Sequence, residues 1–297
     1  MISKKLLRWY SLNKRDLPWR ATHDPYKIWI SEIMLQQTQV STVIPYYNKW
    51  INKFPNATKL SKANYNDVLK LWEGLGYYSR CKNIYKTSHL VQKNFPDSYS
   101  ELIKLPGIGD YTAKTILAIA FDKNQVGIDT NLERIGFRLL GLKKRSKFNQ
   151  NKVKKFLEKI QDKNNPGDFN QALMDLGSNI CQSQSVNCRV CPINDSCRAF
   201  LSLNPVDYPA PIKPKIVPTI KVSTCIIRKQ NKLLILQRPI DTMLGGLWEF
   251  PGGKVKFNES FPLPSNLRTT FSPWTVGKIE TLTSISRSFS LIFIRPS

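Results

Sequence analysis

Four of the six cysteines in this 297-residue chain fall within one short stretch, and this cluster restricts the possible fold more than any other feature. Cys181, Cys188, Cys191 and Cys197 have the spacing C-x6-C-x2-C-x5-C. Four thiolates can hold a [4Fe–4S] cubane, with one thiolate on each iron. Four thiolates also satisfy zinc, although typical zinc ribbons use two C-x2-C pairs and only one is present. The spacing therefore predicts a metal-bearing loop, with both occupants open.

The charge of the chain indicates its class of partner. It has 45 Lys and Arg against 21 Asp and Glu, a formal net charge of +24. Such an excess favours nucleic acid or an anionic membrane surface, although a lysine-rich genome also explains part of it. No apolar run approaches the ~20 residues of a membrane span, and the N-terminus lacks the features of a secretory signal. We therefore expect a cytoplasmic protein whose cysteines form no disulfides.

The chain length and texture predict two domains. Apolar residues at helical spacing predict a mostly helical region over residues 1–203, with helices around 29–34, 66–72, 111–121, 132–139, 153–160 and 169–180. Five prolines between Pro205 and Pro218 indicate an interdomain linker over residues 204–218. Beyond it, the patterns of Val222–Ile227 and Lys232–Gln237 predict two strands joined by a polar turn. The second domain then spans residues 219–297.

A glycine-rich turn, Leu-Pro-Gly107-Ile-Gly109, stands between two helical patterns. Its glycines permit a tight turn with exposed backbone amides. Together with the N-terminus of the next helix, such amides bind a DNA phosphate. The alternative is a glycine turn without a ligand.

Two carboxylates stand in contexts that suit acid–base chemistry. Asp129 precedes an apolar stripe, which predicts that it caps a helix and stays fixed and ionised. Glu32 has Ile28, Trp29 and Leu35 as helical neighbours. Apolar surroundings raise the pKa of a glutamate and suit a general acid at neutral pH. From composition alone, however, a solvent-facing position is the more common outcome for such a glutamate.

Several motifs in this order resemble the MutY family of adenine DNA glycosylases, within the endonuclease III superfamily, over about residues 5–200. They are L-P-W-R, S-E-I-M-L-Q-Q-T-Q-V, G-L-G-Y-Y-S-R, L-P-G-I-G-D-Y-T-A and the cysteine loop. The resemblance implies a helix-hairpin-helix glycosylase fold with one [4Fe–4S] cluster on the four cysteines. It also implies a monomeric, nucleoid-associated enzyme that removes adenine mispaired with 8-oxoguanine or guanine in double-stranded DNA.

The resemblance further implies the roles of individual residues. The residue matching Glu32 protonates adenine at N7, the residue matching Asp129 stabilises the oxocarbenium-like sugar, and Asn131 matches an asparagine nearby. Tyr111 stands where bifunctional relatives carry the lysine that forms a Schiff base. Because a phenol forms no such adduct, we expect a monofunctional enzyme.

The DNA-contacting residues follow from the same resemblance. Matching family residues line the adenine pocket, read the adenine edge, enter the duplex beside the partner base or hold a phosphate. The corresponding positions are Trp19, Arg20, Gln37, Thr38, Leu75, Tyr77, Gly107, Gly109 and Gln171.

The C-terminal region resembles the start of the α+β Nudix-like domain with which this family reads 8-oxoguanine. Gly253 and Glu259 have the first spacing of a Nudix box, but Leu267–Pro273 lacks the arginine and paired glutamates that should follow. We therefore expect no pyrophosphohydrolase activity. Pro262 and Pro264 interrupt the place of the required helix, which predicts an incomplete, degraded or frame-shifted domain after about residue 261.

Two other functions remain open from the sequence. An endonuclease III-like glycosylase and lyase for oxidised pyrimidines would cleave the strand and be trapped by borohydride, and Tyr111 argues against it. A non-catalytic iron–sulfur DNA-binding protein would keep the hairpin and the cysteines, but would not need Glu32 and Asp129 together.

Overall fold

The chain divides into two compact units, Met1–Ile212 and Lys213–Ser297. The computed structural model describes residues 2–202, 204–211, 219, 222–224, 226, 228–229, 232–233, 235–238 and 247–254. The expected degradation after about residue 261 therefore lies outside the described residues. No described helix is long and apolar enough to cross a membrane.

The first unit is helical, as predicted. Its α-helices are α1 Ile2–Asn13, α2 Pro25–Leu35, α3 Val40–Lys53, α4 Ala57–Ser61, α5 Tyr65–Trp72, α6 Tyr78–Val91, α7 Tyr99–Leu102, α8 Asp110–Ala120, α9 Thr130–Leu140, α10 Lys147–Ile160, α11 Pro166–Asn179 and α12 Arg198–Leu201. The six predicted helices correspond to α2, α5, α8, α9, α10 and α11.

Local sequence explains where the site-bearing helices begin. At the start of α2, the side chain of Asp24 accepts a hydrogen bond from the Tyr26 amide, and Pro25 occupies the first turn. Proline suits this position because its fixed φ is helical and the first turn needs no donor from it. Gly141 ends α9 in the left-handed conformation, at φ 66°, which glycine adopts at little cost.

Helix α11 lies at the centre of the unit and positions the site. It packs against α1, α8 and α9, whereas α2 packs against α3 and α8. Buried apolar side chains join α1, α9, α10 and α11 in one core, which includes Leu6, Leu132, Leu157 and Leu173. Residues of α2, α8 and α11 are thereby brought to one junction.

The first part of the predicted linker is held to the helical unit. Arg138 Nε donates to the carbonyl of Tyr208 at 2.9 Å, and the Ala210 amide donates to the Lys143 carbonyl at 2.9 Å. Arg138 is a buried residue of α9, and it anchors a segment that the proline content alone assigns to a linker. The helical unit therefore continues beyond residue 203.

The described part of the second unit consists of short strands. They are β1 Val222–Thr224, β2 Arg228–Lys229, β3 Lys232–Leu233, β4 Leu236–Gln237, β5 Trp248–Glu249 and β6 Gly252–Lys254. Antiparallel pairs form between β1 and β6, β2 and β3, and β4 and β5. A short hairpin is present at the predicted turn, but its strands are β2 and β3. The predicted first strand, Val222–Ile227, is instead represented by β1, which pairs with β6.

Candidate active site

Glu32 is buried on α2, with only 5 % of its surface exposed. Burial raises the pKa of its carboxyl to about 7, and the negative charge of Asp129 raises it further. A hydrogen bond from Tyr111 and the positive charge of Arg20 act in the opposite direction. The carboxyl therefore holds a proton near neutral pH, as a general acid requires.

Tyr111 hydrogen-bonds Glu32 and lies within the electrostatic influence of Asp129. It is the second residue after Gly109, and its hydroxyl donates to Glu32 Oε2 at 2.7 Å. Burial raises the pKa of this phenol well above its ordinary value, and the charges of Glu32 and Asp129 raise it further. The negative charges of both carboxylates thus keep the Tyr111 phenol protonated, so that it remains a hydrogen-bond donor.

Asp129 caps α9, as its position in the sequence predicts. Its Oδ1 accepts from the amides of Asn131 at 2.9 Å and Leu132 at 2.8 Å. Its Oδ2 accepts from Asn131 Nδ2 at 2.8 Å. These hydrogen bonds fix the orientation of the carboxylate.

A chain of hydrogen bonds joins this aspartate to the cysteine loop. Asn131 Oδ1 accepts from Arg134 Nη2 at 3.0 Å, and Arg134 Nε donates to the Cys181 carbonyl at 2.9 Å. Gly177 makes the close approach possible, because a Cβ there would lie 2.9 Å from Asn131 Cβ. The loop and the catalytic-site aspartate are therefore mechanically connected.

A cleft opens beside Glu32. Trp19, Arg20 and Gln171, the residues predicted to line an adenine pocket, border it with Glu32 and Met174. Its walls are mainly apolar with a few polar groups, a composition that is typical of ligand sites. The lining of this cleft contains neither Asp129 nor Asn131, and Asp129 acts on Glu32 and Tyr111 through its charge.

Asp175 is a site residue that the sequence analysis did not single out. It is fully buried on α11, and its carboxylate accepts from Arg20 Nη1 at 2.6 Å and Nη2 at 2.7 Å. Arg15 Nε donates to the same carboxylate at 2.6 Å. Such a bidentate pair fixes the guanidinium plane, so Asp175 holds Arg20 at the cleft.

Arg80 is a second residue whose role the motif did not reveal. Only 7 % of it is exposed. Its Nη1 donates to the carbonyls of Ile33, Met34 and Gln36 at 3.0, 2.9 and 2.6 Å. Its Nη2 donates to the Leu75 carbonyl at 3.2 Å. One guanidinium thus ties the end of α2 to the glycine loop before α6.

The two segments that Arg80 joins have strained tips. Gln37 has φ 56° and Tyr77 has φ 47°, values that L-residues rarely adopt and that cost free energy unless the surroundings hold them. Tyr77 is 54 % exposed, whereas Leu75 is buried beneath the loop. Thr38 is held by the same guanidinium, since its Oγ1 accepts from Arg80 Nη2 at 3.2 Å. These hydrogen bonds of Arg80 are called the Arg80 clamp below.

Arg80→Lys is expected to destabilise the protein by about 2–3 kcal/mol and to loosen both tips. A lysine has a single ammonium and cannot replace a planar fork bonded to several carbonyls. Thermal unfolding and limited proteolysis around residues 36–38 and 74–77 measure the effect. Arg8→Lys, at an exposed position of α1, is the matched control. Equal melting temperatures for the two variants would contradict the clamp.

The predicted hairpin joins α7 to α8. Gly107 has φ 80°, and a Cβ there would lie 2.8 Å from the Cβ of Asn83. Gly109 is the N-cap residue of α8, and both glycines are exposed. The turn therefore requires glycine at position 107 and presents its backbone to solvent beside a helix N-terminus.

The cysteine loop packs against the helical core. Cys181, Cys191 and Cys197 contact the core cluster, and burial together with the neighbouring thiols raises the pKa of Cys191 to about 12. Arg138 Nη1 donates to Cys181 Sγ at 3.1 Å. In the described part of the chain, no three His, Cys, Asp or Glu side chains are grouped around the position of a single metal ion. A cubane requires no such group, because each thiolate binds a separate iron.

Comparison with known proteins identifies the family. The model of the HhH-GPD superfamily of base excision DNA repair proteins matches residues 30–162. The adenine DNA glycosylase of Buchnera aphidicola subsp. Schizaphis graminum (strain Sg) is 39 % identical over 264 residues, which cover 86 % of this chain and 76 % of that protein.

Solved structures agree on the fold. A thermostable thymine-DNA glycosylase gives a TM-score of 0.62 at 25 % identity, covering 67 % of this chain and 95 % of that one. An endonuclease III trapped as a covalent DNA intermediate gives a TM-score of 0.57 at 23 % identity, covering 68 % and 95 %. The predicted helix-hairpin-helix glycosylase fold is confirmed, and the chain belongs to the adenine DNA glycosylase family of base excision repair.

Proposed function

We propose that this protein hydrolyses the N-glycosidic bond of adenine opposite 8-oxoguanine or guanine in duplex DNA and leaves an abasic site. One observation carries the proposal: Tyr111 hydrogen-bonds Glu32 at 2.7 Å in a buried site where Asp129 acts on both residues. Depurination requires a proton donor for the leaving base and a fixed anion near the sugar.

The reaction then follows from these groups. Glu32 gives its proton to N7 of the flipped adenine, and the C1′–N9 bond breaks with its electron pair moving to the base. Adenine leaves neutral, and the carboxylate of Asp129 offsets the positive charge on the sugar. Water adds to C1′ and gives a proton to the Glu32 carboxylate, which restores the acid.

Tyr111 makes strand cleavage by the enzyme unfavourable. A lyase needs an amine to attack C1′ and form a Schiff base, and the phenol at this position has no such chemistry. The pKa of the phenol is held well above its ordinary value, so it remains a protonated donor to Glu32. Water therefore completes the reaction.

DNA binding and base flipping are assigned to the exposed loops. The backbone at Gly107 and Gly109 binds a phosphate, while Gln37, Thr38 and Tyr77 contact the stack beside the partner base. Leu75 supports the loop from beneath. The strained backbone at Gln37 and Tyr77, held in place by Arg80, suits loops that must push a target base out of a duplex.

The formal net charge of +24 suits a chromosomal DNA substrate, and such a substrate is consistent with a cytoplasmic, nucleoid-associated enzyme.

One [4Fe–4S] cluster fits the four thiols of Cys181, Cys188, Cys191 and Cys197. The thiols interact electrostatically with one another, and three of them pack on the helical core, which shields them from water. A bound cluster would cross-link the loop, and the hydrogen bonds of Arg134 would carry that rigidity to Asn131 and Asp129. Strands of the second unit fit a Nudix-like module that contacts 8-oxoguanine, as the motifs imply.

The decisive experiment incubates the protein with a duplex that carries one adenine opposite 8-oxoguanine, opposite guanine or opposite thymine. Strand breaks are expected after hot alkali for the first two partners. Without alkali, no break and no borohydride-trapped adduct are expected. Trapping of the protein on DNA would favour the lyase alternative, and binding without excision would favour a non-catalytic protein.

Cys191→Ser is expected to remove most of the bound iron and to lower the melting temperature by several degrees. A hydroxyl is a poor iron ligand, and loss of the cluster frees a loop that packs on the core. Iron content and visible absorption measure the first effect, and thermal unfolding measures the second. Cys81→Ser is the matched control, since Cys81 is buried between helices away from the loop. Retention of full iron in Cys191→Ser would contradict the ligand assignment.

A further inference from the structure

Tyr10 lies outside the lining of the cleft and contacts one of its residues, Gln171, from a helix that carries none of the family motifs. It is buried on α1, which packs against α11. Its hydroxyl donates to Oε1 of Gln171, a cleft residue on α11, at 3.2 Å. This distance is long for an O–H···O bond.

The tyrosine ring is itself held in place. The guanidinium carbon of Arg20 lies 5.5 Å from the centre of the Tyr10 ring, and Asp175 fixes Arg20 with two hydrogen bonds. Burial raises the pKa of the Tyr10 hydroxyl to about 12, and the charges of Asp168 and Asp175 add to this. The phenol therefore keeps its proton and its position.

A fixed phenol donor determines which way the Gln171 amide is turned. An amide has one acceptor atom and one donor atom. With Oε1 engaged by Tyr10, the Nε2 group is the part left for a ligand. In the reverse orientation the phenol oxygen would accept from Nε2, and its own proton would lose the amide oxygen as its partner, which costs free energy in a part-buried site.

We propose that Tyr10 is a positioning residue that orients Gln171 with its amide nitrogen toward the flipped base, and so selects purines whose N1 accepts a hydrogen bond. The inference rests on the proposed function. Adenine has such an acceptor at N1, whereas hypoxanthine and guanine carry a hydrogen there. Two donors facing each other in a buried site leave both unpaired, and sites of this kind discriminate strongly between related ligands.

The test compares single-turnover excision of adenine and of hypoxanthine, each opposite 8-oxoguanine, by wild type and Tyr10→Phe. The variant keeps the ring beneath Arg20 but frees the Gln171 amide to turn. We expect the ratio of the adenine rate to the hypoxanthine rate to fall about tenfold or more, the effect of one misdirected buried hydrogen bond.

Tyr26→Phe is the matched control. Tyr26 is a buried tyrosine outside the cleft, and its hydroxyl donates to the Phe54 carbonyl at 2.8 Å. Its hydroxyl also accepts from Trp50 Nε1 at 3.2 Å, so the variant should lose at least as much stability and still keep the wild-type ratio. An unchanged ratio in Tyr10→Phe, or an equal fall in both variants, would overturn the inference.

A second variant keeps the test valid if Tyr10→Phe does not fold. Gln171→Glu replaces the donor by an acceptor, so its ratio must fall in the same direction. A ratio that stays at the wild-type value in Gln171→Glu overturns the inference. If the wild-type protein excises no adenine at all, the proposed function fails and the inference fails with it.

Discussion

Glu32→Gln is expected to lower the rate of adenine excision by about 10³–10⁴-fold while the protein still binds mispaired DNA. The amide keeps an oxygen that accepts the hydrogen bond from Tyr111, but it has no proton to give to the leaving base. Positioned general acids contribute factors of this size. Single-turnover excision measures the rate, and a gel-shift assay measures binding.

The same substitution should stabilise the folded protein at alkaline pH. The folded pKa of Glu32 is about 7 against an ordinary value of 4.5. The folded state therefore binds the proton more tightly, and wild-type stability falls as the pH rises from about 4.5 to 7. A shift of this size corresponds to about 3 kcal/mol, which an uncharged amide does not lose. Glu32→Gln should thus melt at a higher temperature than wild type at pH 8.

Glu158→Gln is the control for both measurements, because it removes a carboxylate from an exposed position of α10. Its excision rate and its melting temperature at pH 8 should match those of wild type. Wild-type excision should also decline above pH 7, as Glu32 loses its proton. Normal excision by Glu32→Gln, or a rate that rises steadily through pH 9, would remove Glu32 from the role of acid.

The regular part of the fold was accessible from the sequence because it depends on local periodicity. Apolar residues at helical spacing predicted α2, α5 and α8–α11. Helices α1, α3 and α6 were not predicted. Helix α3 contains Pro45, and α6 buries polar side chains such as Thr87 and Ser88 against neighbouring elements. A single-sequence pattern does not distinguish such helices from loops.

The electrostatic part of the site was less accessible, because it depends on packing between distant segments. Composition favours an exposed Glu32, and its burial results from the packing of α2 against α8. Asp175 and Arg80 are charged residues that general statistics place at the surface. Each is buried because it bonds a partner far away in the chain, Arg20 for the first and the end of α2 for the second. The family motifs include Glu32 and Arg80 but not Asp175.

Asp129→Asn is expected to reduce excision by on the order of 10³-fold with little loss of stability. The neutral amide no longer offsets the positive charge on the sugar. Asparagine caps a helix about as well as aspartate, so its oxygen can still accept from the amides of Asn131 and Leu132. Its nitrogen would then face the donor Nδ2 of Asn131, so the hydrogen bond now made by Oδ2 is lost.

Asp24→Asn separates the loss of charge from the loss of a cap. Asp24 caps α2 through a hydrogen bond from the Tyr26 amide at 2.9 Å, the same arrangement that Asp129 makes at α9. Both variants should melt close to wild type, and only Asp129→Asn should lose excision. If both lose excision equally, the aspartate acts by holding helices in place. If neither loses it, the sugar cation is stabilised by some other group, and pairing a buried acid with a fixed anion no longer explains the catalysis.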